Sequence, residues 1–406
     1  MIESGRTALE AQLTQRLREP APGRVQLLVG PRQVGKTTLL LELARRHGWE
    51  RHYHPCDAPP ASLAGFWERA WAAVREEAVR TGKAAIFLDE VHHLPDWASR
   101  LKAEWDRLQR EGAPVHVVAS GSAALRLTWG SKESLAGRFE RLVLGHWSAR
   151  DLAGAFALPE EEAALEIVRR GAYPGAFPLR EDPNRWTAYV RDAIVEPAIA
   201  RDLVAGTLIR KPALLRQVFA LAVASPARIV SLQKIRGALE DAGALETVAA
   251  YLELLEEAYL VASLPKWSRE PARRRAAPPK LLPLSNAFLA ATDPGGIPAA
   301  ERDPARWGAW VENACLAFAW SQGQRVTYWR AEPHEVDAVL EGSWGRLALE
   351  VKTGPFATAE LRGVLEFCRL HPDFRPLVVV DERGIDVARQ AGVDAIHWRR
   401  FLSSGP

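Results

Sequence analysis

The sequence predicts an α/β protein of more than one domain, whose first domain is a mostly parallel β-sheet with helices on both faces. Short apolar runs alternate with amphipathic helical patterns through the first third of the chain, and parallel strands need such helical crossovers to connect them. One apolar run leads into a glycine-containing stretch that opens a helix, at residues 27–38. The chain has 406 residues, more than one hydrophobic core normally serves, so two to four domains are expected.

Periodicity and turn residues place the first elements. Helical spacing of apolar residues stops at Pro- and Gly-rich turns, while buried strands are short continuous apolar runs. The predicted order is a helix at 7–17, a strand at 25–29, a helix at 36–47, a helix at 62–80, a strand at 83–90, a helix at 97–110 and a strand at 115–119.

The strand at 25–29 runs into a stretch with the spacing G-x-x-x-x-G-K-T. Glycines let the backbone curl so that successive N–H groups point at phosphate oxygens, and the following helix adds the positive end of its dipole. An ordinary glycine turn is the alternative, and the flanking strand and helix argue against it. We therefore expect a nucleotide and Mg²⁺ here, with Lys36 at the β- and γ-phosphates and Thr37 as a Mg²⁺ ligand. The whole loop comprises Gly30, Pro31, Arg32, Gln33, Val34, Gly35, Lys36, Thr37 and Thr38.

Two acids, Asp89 and Glu90, end the strand at 83–90. Open α/β sheets bind ligands at the carboxyl ends of their strands, so this pair is expected to face the glycine loop. Asp89 would hold Mg²⁺ through water or Thr37, and Glu90 would orient or deprotonate the attacking water. Two solvated acids at a strand end are the alternative, which is the better interpretation of an isolated pair but not of one downstream of such a loop.

The strand at 115–119 ends in Ser120-Gly121-Ser122, at the same edge of the predicted sheet. Ser120 or Ser122 would sense the γ-phosphate. Arg138 follows shortly after that edge, and an arginine supplied to the γ-phosphate of a neighbouring subunit would act as a finger. A surface arginine is the simpler interpretation of Arg138 by itself. Whether it acts within its own subunit or on a neighbour in a homo-oligomer stays open.

These motifs resemble those of prokaryotic AAA-type ATPases that carry a C-terminal domain of unknown function. The resemblance extends over nearly the whole chain and is carried by residues 30–38, Leu88-Asp89-Glu90-Val91, Ser120-Gly121-Ser122-Ala123, Leu135-Ala136-Gly137-Arg138 and Gly171-Ala172-Tyr173-Pro174. A departure is Ser285-Asn286, where family members usually have an acid after the strand that bears the lysine, here Lys280. The resemblance implies ATP hydrolysis by an AAA-type core at 1–155, followed by a helical lid at 156–205, a winged-helix domain at 206–292 and a restriction-endonuclease-like domain at 300–406.

The segment before residue 292 is compatible with a winged helix. Two helices, at 230–242 and 247–258, have helix-turn-helix spacing, and strands at 260–266 and 280–284 flank a loop with Trp267 and several arginines. A basic, aromatic-bearing tip fits a wing that contacts nucleic acid, while a solvated Pro/Arg-rich loop is the alternative. The partner would be duplex or branched DNA, and the expected contacts are Lys234, Arg236, Arg273, Arg274 and Arg275.

A Gly-, Pro- and Ala-rich stretch at 294–304 predicts a linker before the last domain. Beyond it, Glu312 lies on a predicted helix and Asp337 on a strand, and Glu350 and Lys352 share one face of the next strand. This order resembles the PD-(D/E)xK nuclease motif. Asp337 and Glu350 would bind Mg²⁺, Glu312 would be a further member, and Lys352 would activate water or stabilise charge on phosphate. Charges that merely keep an edge strand soluble are the alternative.

Composition limits the classes of function. Hydrophobic residues make up 48% and charged residues 25% of the chain, as in ordinary globular proteins, and a formal charge of +3 is too small to imply nucleic-acid binding by itself. Three scattered cysteines support neither a disulfide framework nor a zinc site. With no signal segment and no apolar run long enough to span a bilayer, we expect a cytoplasmic protein without membrane association.

Two kinds of function follow from these observations. The first is ATP-dependent work on DNA in repair, recombination or defence, with a metal-dependent, nuclease-like C-terminal domain as an option. The second is an ATP-dependent regulatory switch or a protein-remodelling motor, whose C-terminal domain is a binding scaffold that does not cleave. DNA-stimulated ATP turnover and salt-dependent DNA binding would separate the first from the second.

Overall fold

The computed structural model describes residues 5–121, 135–204, 209, 211–239, 244–270 and 277–406. The chain divides into two compact units, the first ending at Gly145 and the second running from His146 to Pro406. No helix among the described residues is both long and apolar enough to cross a membrane.

The first unit is built on one sheet of parallel strands, as the sequence predicts. Its elements are α1 (Arg6–Arg16), β1 (Val25–Val29), α2 (Lys36–Arg46), β2 (Tyr53–Pro55), α3 (Phe66–Thr81), β3 (Ala84–Asp89), α4 (Trp97–Glu111), β4 (Val115–Gly121) and β5 (Phe139–Val143). The strand order is β2-β3-β4-β1-β5. The strand that leads into the glycine loop is therefore separated from the strand that ends in the two acids by β4 alone.

Burial explains why these segments are strands. Every residue of β1, β3 and β4 is buried, as expected of parallel strands that are covered on both faces. Helices α3 and α4 contribute Trp71 and Leu101 to the core cluster that also contains the strand residue Leu27. Because the strands are parallel, their carboxyl ends meet at one edge of the sheet, and this edge carries Asp89 and Ser120.

The second unit begins with helices. α5 (Ala149–Phe156) starts at a capping box, in which the side chains of Ser148 and Asp151 each accept a hydrogen bond from the other's backbone N–H. α6 (Glu160–Arg170) follows. α7 (Pro183–Tyr189) then continues into wider, π-helical turns at Val190–Val195 and Ala198–Val204.

A small antiparallel sheet comes next in this unit. Its elements are α8 (Pro212–Val223), β6 (Arg228–Ile229), α9 (Leu232–Gly237), α10 (Leu245–Glu257), β7 (Val261–Leu264) and β8 (Lys280–Pro283). The strand order is β6-β8-β7, and β8 pairs antiparallel with both neighbours. The two helices expected from helix-turn-helix spacing are therefore present, as α9 and α10.

The last part of the chain forms a five-stranded mixed sheet with helices. Its elements are α11 (Asn286–Thr292), α12 (Gly296–Arg302), α13 (Pro304–Ser321), β9 (Arg325–Ala331), β10 (His334–Gly342), β11 (Gly345–Lys352), α14 (Arg362–Leu370), β12 (Arg375–Val380), α15 (Gly384–Gln390), β13 (Asp394–His397) and α16 (Trp398–Ser404). Strands β9, β10 and β11 are antiparallel, whereas β11, β12 and β13 are parallel.

The stretch at 294–304, predicted to be a linker, includes a short helix. This stretch contains helix α12, and the guanidinium of Arg306 pairs with the carboxylate of Asp293 on its other side. Residues 206–292 and 300–406 both lie in the second compact unit, which begins at His146, and the domain boundaries expected within this unit stay predictions.

The prediction that Trp267 lies at an exposed wing tip is wrong. Trp267 is 7% exposed, and its ring packs edge-to-face against Phe367 and Phe374. Its backbone N–H donates to the carbonyl of Tyr328 at 2.6 Å, because the chain after β7 runs beside β9. Trp267 is therefore a core residue of the last sheet and is not available to a nucleic acid.

Candidate functional site

Two glycines shape the loop between β1 and α2. A Cβ atom on Gly30 would lie 2.0 Å from the carbonyl oxygen of Leu144, so no side chain fits there. Gly35, just before the helix, has a φ of 91°, which other residues rarely adopt. The loop thus turns tightly into the first turn of α2, and the backbone N–H groups at the start of a helix favour an anion.

The remaining loop residues differ in exposure. Pro31 and Val34 are buried and anchor the loop, Arg32 is half-buried, and Gln33, Thr37 and Thr38 are exposed. Lys36 is only 5% exposed, and its Nζ donates to the carbonyls of Gly30 at 3.1 Å and Pro31 at 2.7 Å. The ammonium group is therefore held over the loop. When a nucleotide binds, its phosphate oxygens would replace the two carbonyls as hydrogen-bond partners of the ammonium.

Asp89 is the centre of a hydroxyl network. Its carboxylate is buried, and its Oδ2 accepts hydrogen bonds from Thr37 Oγ1 at 2.8 Å and from the hydroxyl of Tyr53 at 2.6 Å. Its Oδ1 accepts from Ser120 Oγ. These donors come from α2, β2 and β4, so the carboxylate joins three elements around the loop. Burying a carboxylate is costly unless donors such as these hydrogen-bond to it.

The structure therefore brings together Lys36, Thr37, Asp89 and Ser120, as the sequence predicts. Hydroxyl and carboxylate oxygens of Thr37 and Asp89 are the ligand type that Mg²⁺ prefers, and the loop N–H groups with Lys36 are the donors that phosphates need. This donor set fits Mg²⁺ and a nucleotide. Ser122, the alternative phosphate sensor, lies outside the described residues.

Glu90 follows Asp89 in an unusual conformation. Its φ is 52°, in the left-handed region that a non-glycine residue adopts at some cost. Its backbone N–H donates to Ser120 Oγ at 3.1 Å, and its carboxylate lies 3.5 Å from Nδ1 of the buried His92. The ligand atoms of Glu90, His92 and His93 lie within 4.8 Å of one another, so this turn also offers a place where a metal ion could bind.

Sequence reasoning missed Tyr53. Its strand has three residues, too few for an alternating pattern to show, and its hydroxyl reaches Asp89 only because β2 pairs with β3. Burial raises the pKa of the Tyr53 phenol, and the hydrogen bond to Asp89 raises it further. Tyr53 therefore stays protonated and acts as a donor.

We expect Tyr53→Phe to destabilise the protein in the absence of nucleotide. Leaving a buried carboxylate one donor short costs roughly 1–3 kcal/mol, so the free energy of unfolding should fall by about that amount. The free energy of unfolding is measured by urea denaturation, with tryptophan fluorescence as the signal. The control is the same substitution in an Asp89→Ala background, where the acceptor is absent. An equal loss in both backgrounds would show that the hydroxyl acts through another group.

Arg138 lies at the opposite edge of the sheet. Its backbone carbonyl accepts from the N–H of Val25, at the start of β1, whereas the glycine loop follows the end of that strand, roughly 17 Å away at 3.3 Å per residue. Its Nε donates to Asp106 in α4 at 2.9 Å. Within its own subunit Arg138 therefore pairs with Asp106 at a distance from the loop. A finger role requires a neighbouring subunit and stays a prediction.

The C-terminal residues singled out by spacing also come together. Asp337 lies on β10, and its Oδ2 accepts from the backbone N–H of Val351 at 2.9 Å. Glu350 lies on β11, where its Oε1 is 3.0 Å from Lys352 Nζ and its Oε2 accepts from the N–H of Asp337 at 3.4 Å. Glu312, on α13, joins the group through Lys280, a cation outside the predicted set.

Lys280 on β8 is the member of this cluster that sequence reasoning did not assign. It is 1% exposed, and its Nζ lies 2.6 Å from Glu312 Oε1, 3.0 Å from the carbonyl of Asp337 and 3.6 Å from Asp337 Oδ1. We call Lys280, Glu312, Asp337, Glu350 and Lys352 the acidic cluster.

The acidic cluster holds three carboxylates and two ammonium groups, and the pKa shifts reflect this excess of acid. Burial raises the pKa of Glu350 to about 8, with Asp337 adding to the shift and Lys352 opposing it. Burial and Asp337 raise the pKa of Glu312 to about 7 against the effect of Lys280. Burial alone would lower the pKa of Lys280, but Glu312 and Asp337 outweigh it and the net shift is upward. Lys280 is therefore a permanent cation.

The departure at Ser285-Asn286 has a structural explanation. The Asn286 amide donates to the carbonyls of Val168 at 2.7 Å and Trp310 at 2.9 Å. Its Oδ1 accepts from Nδ2 of Asn313 at 2.8 Å. Both side chains are buried. Asn286 thus connects three helices of the second unit, α6, α11 and α13. None of these hydrogen bonds involves the acidic cluster.

The residues predicted to contact DNA are only partly described. Lys234 and Arg236 lie exposed on α9. Arg273, Arg274 and Arg275 lie outside the described residues.

Comparison with known proteins bears on the first unit. Residues 22–153 match the family model described as an AAA domain. This AAA domain therefore has the AAA-type ATPase fold that the glycine loop and the two acids indicate. Residues 161–293 and 307–401 match two further family models, each described as a domain of unknown function.

Other matches extend over most of the chain. An uncharacterized protein of Mycobacterium tuberculosis is 27% identical over 361 residues, covering 84% of this chain and 73% of that protein. Among solved structures, the Walker-type ATPase of Pyrococcus abyssi is 15% identical with a TM-score of 0.43, covering 71% of this chain and 97% of its own. The ORC1 protein of Aeropyrum pernix, in complex with DNA, is 18% identical with a TM-score of 0.32, covering 73% and 94%.

Proposed function

We propose that the AAA domain binds ATP with Mg²⁺ and hydrolyses it. The observation that carries this proposal is the buried carboxylate of Asp89, which holds Thr37 and Ser120 beside a glycine loop with Lys36 folded over it. A buried acid with hydroxyl donors on both oxygens, next to a cation and the N–H groups of a helix N-terminus, is arranged to hold a metal–phosphate pair.

The residues divide the chemistry among them. The loop N–H groups and Lys36 bind the β- and γ-phosphates, while Thr37 and Asp89 hold Mg²⁺, which when bound neutralises charge on the phosphate oxygens. Glu90 accepts a proton from water as the water oxygen bonds to the γ-phosphorus. The bond from that phosphorus to the bridging oxygen then breaks, leaving ADP and phosphate.

The test is ATP turnover by the full chain, measured alone and with single-stranded, duplex and branched DNA. ATP-dependent phosphate release that requires Mg²⁺ supports the proposal. Absence of both turnover and nucleotide binding under all four conditions would overturn it. The comparison among the DNAs asks at the same time which of them the protein acts on.

We further propose DNA as the partner of the second unit. The order helix, strand, helix, helix, strand, strand from α8 to β8, with three antiparallel strands, is the order of a winged helix. Lys234 and Arg236 are exposed on its α9, and the connection between β7 and β8 contains Arg273, Arg274 and Arg275. These five cations would contact phosphates, which position a protein on DNA without reading sequence.

Replacing Arg273, Arg274 and Arg275 together with alanine should weaken DNA binding regardless of DNA sequence. Each lost phosphate contact removes about 0.9 from the slope of log affinity against log salt, so the slope should shrink by about 2 to 3. Fluorescence anisotropy at several salt concentrations measures it. A matched triple variant of exposed arginines in the AAA domain, Arg45, Arg51 and Arg110, serves as control. Equal slopes in the two variants would place the DNA contact elsewhere.

The second candidate is an ATP-dependent switch whose partner is a protein, and one observation favours it. In a helix-turn-helix the second helix enters the DNA groove, but α10 contains no basic residue, and it exposes Glu246 and Glu253. Phosphates would repel this face. ATP turnover that DNA leaves unchanged at low salt would favour this candidate over the first.

A further inference from the structure

The acidic cluster draws its members from two parts of the chain that the sequence separates. Glu312, Asp337 and Glu350 belong to α13 and the last sheet, whereas Lys280 comes from β8 of the three-stranded sheet. The side chain of Lys280 is 2% exposed, and that of Glu350 is 8% exposed. A lysine is almost never buried to this degree unless acids pair with it.

Metal ligands in such a cluster would be carboxylate oxygens, and these already have partners. Both oxygens of Asp337 face protein donors, Oδ2 the N–H of Val351 and Oδ1 the ammonium of Lys280. Both oxygens of Glu350 are also engaged, by Lys352 and by the N–H of Asp337. Among the described residues, the one group of three side chains placed to hold a metal ion is Glu90, His92 and His93, whose ligand atoms lie within 4.8 Å of one another.

We infer that Lys280 is the resident cation of the acidic cluster and excludes a divalent metal ion from it. Its ammonium lies 2.6 Å from Glu312 Oε1 and 3.6 Å from Asp337 Oδ1, so it already pairs with two of the acids that a metal ion would need. A divalent ion there would be repelled by a buried ammonium that cannot leave without losing both of its acid partners. Mg²⁺ at Asp337 and Glu350 would lie beside this ammonium and beside that of Lys352, so the expected metal site does not fit this arrangement, and the cluster joins two sheets instead.

A fragment of the protein without Lys280 would differ from the full chain in metal binding. A fragment of residues 300–406 lacks Lys280, so its acids would lose their internal cation and would attract metal that the full chain does not bind. The full chain is therefore the protein to test. Nucleotide-site metal is removed by working without nucleotide in a Lys36→Ala background.

The experiment titrates Mn²⁺ alone into full-length Lys36→Ala protein and follows free Mn²⁺ by electron paramagnetic resonance. We expect no site that depends on Asp337 in this parent, shown by identical titrations with and without Asp337→Asn. Adding Lys280→Met should create one, with affinity at least about tenfold above the parent because the cluster loses a positive charge. Adding Asp337→Asn to Lys280→Met should remove it. Manganese held by His92 and His93 would appear equally in all variants and cancel.

Two results would overturn the inference. One is Mn²⁺ binding in the parent that Asp337→Asn abolishes. The other is no gain in Mn²⁺ affinity from Lys280→Met in protein whose circular dichroism matches the parent. If Lys280→Met does not fold, the parent and its Asp337→Asn variant still decide the matter. Lys280→Arg, which keeps the charge, should bind no more Mn²⁺ than the parent.

Discussion

Glu90→Gln should lower ATP turnover by about 10²–10⁴-fold, the range that a positioned general base contributes, while leaving ATP affinity nearly unchanged. The amide keeps the size of the carboxylate but cannot accept a proton from water. The phosphate-binding groups, Lys36 and the loop N–H donors, lie on other elements and are untouched. The main-chain bond from Glu90 to Ser120 also persists, because it uses the backbone N–H.

Two measurements check this expectation. Phosphate release under saturating ATP gives the turnover, and equilibrium binding of a fluorescent ATP analogue gives the affinity. Glu76→Gln, an exposed acid on α3, is the matched control and should turn over like the unmodified protein. Turnover in Glu90→Gln equal to that control would remove Glu90 from the reaction. Loss of affinity as well as turnover would mean that the residue holds the loop instead.

Most of the candidate nucleotide site was predictable, because the chemistry proposed for it restricts local sequence. A backbone that approaches phosphates needs glycine where a Cβ would collide, as one on Gly30 would with Leu144. The acids follow a buried strand because ligands of parallel sheets lie at strand ends. Both features are properties of a few consecutive residues. Spacing alone therefore located Thr37, Asp89 and Ser120, which the structure joins by hydrogen bonds, and Lys36, which donates to carbonyls of the same loop.

The missed residues share a different property, because each acts through a contact between distant segments. Tyr53 reaches Asp89 across neighbouring strands, and Lys280 reaches Glu312 from another sheet. Trp267, in a segment of arginines, had the composition of an exposed tip, yet it fills the core beside Phe367. No local pattern distinguishes a lysine in a solvated strand from one that is buried among acids. Such partners become visible only once the sheets are placed.

The order of the C-terminal acids illustrates how a pattern can be right about position and still leave chemistry undecided. Glu312, Asp337, Glu350 and Lys352 do assemble, as their spacing predicts. The charge that fills the space among them decides between a metal site and a closed ion cluster. That charge is Lys280, which lies 32 residues before Glu312 in the sequence. Motif order therefore predicted which of these residues come together, while their metal binding and activity stay predictions.

Lys36→Ala should weaken ATP binding by roughly 100-fold, because a charge-assisted hydrogen bond contributes about 1.5–3 kcal/mol and each 1.4 kcal/mol is a factor of ten. The buried ammonium is held over the loop by the carbonyls of Gly30 and Pro31, so phosphates meet a cation already in place. Lys36→Arg should restore little of this affinity, since a planar guanidinium does not fit a pocket shaped for a 5% exposed lysine.

Calorimetric titration with ATP and Mg²⁺ measures the effect of Lys36→Ala, and circular dichroism confirms that the variant folds. Lys102→Ala, on α4 and away from the loop, is the control and should bind ATP like the unmodified protein. Equal ATP affinities in the two variants would show that Lys36 does not bind the phosphates. The loop N–H groups would then be the whole phosphate site. If Lys36→Ala loses ATP affinity and Lys36→Arg fully recovers it, the positive charge alone is sufficient, and the geometry of the lysine side chain is not required.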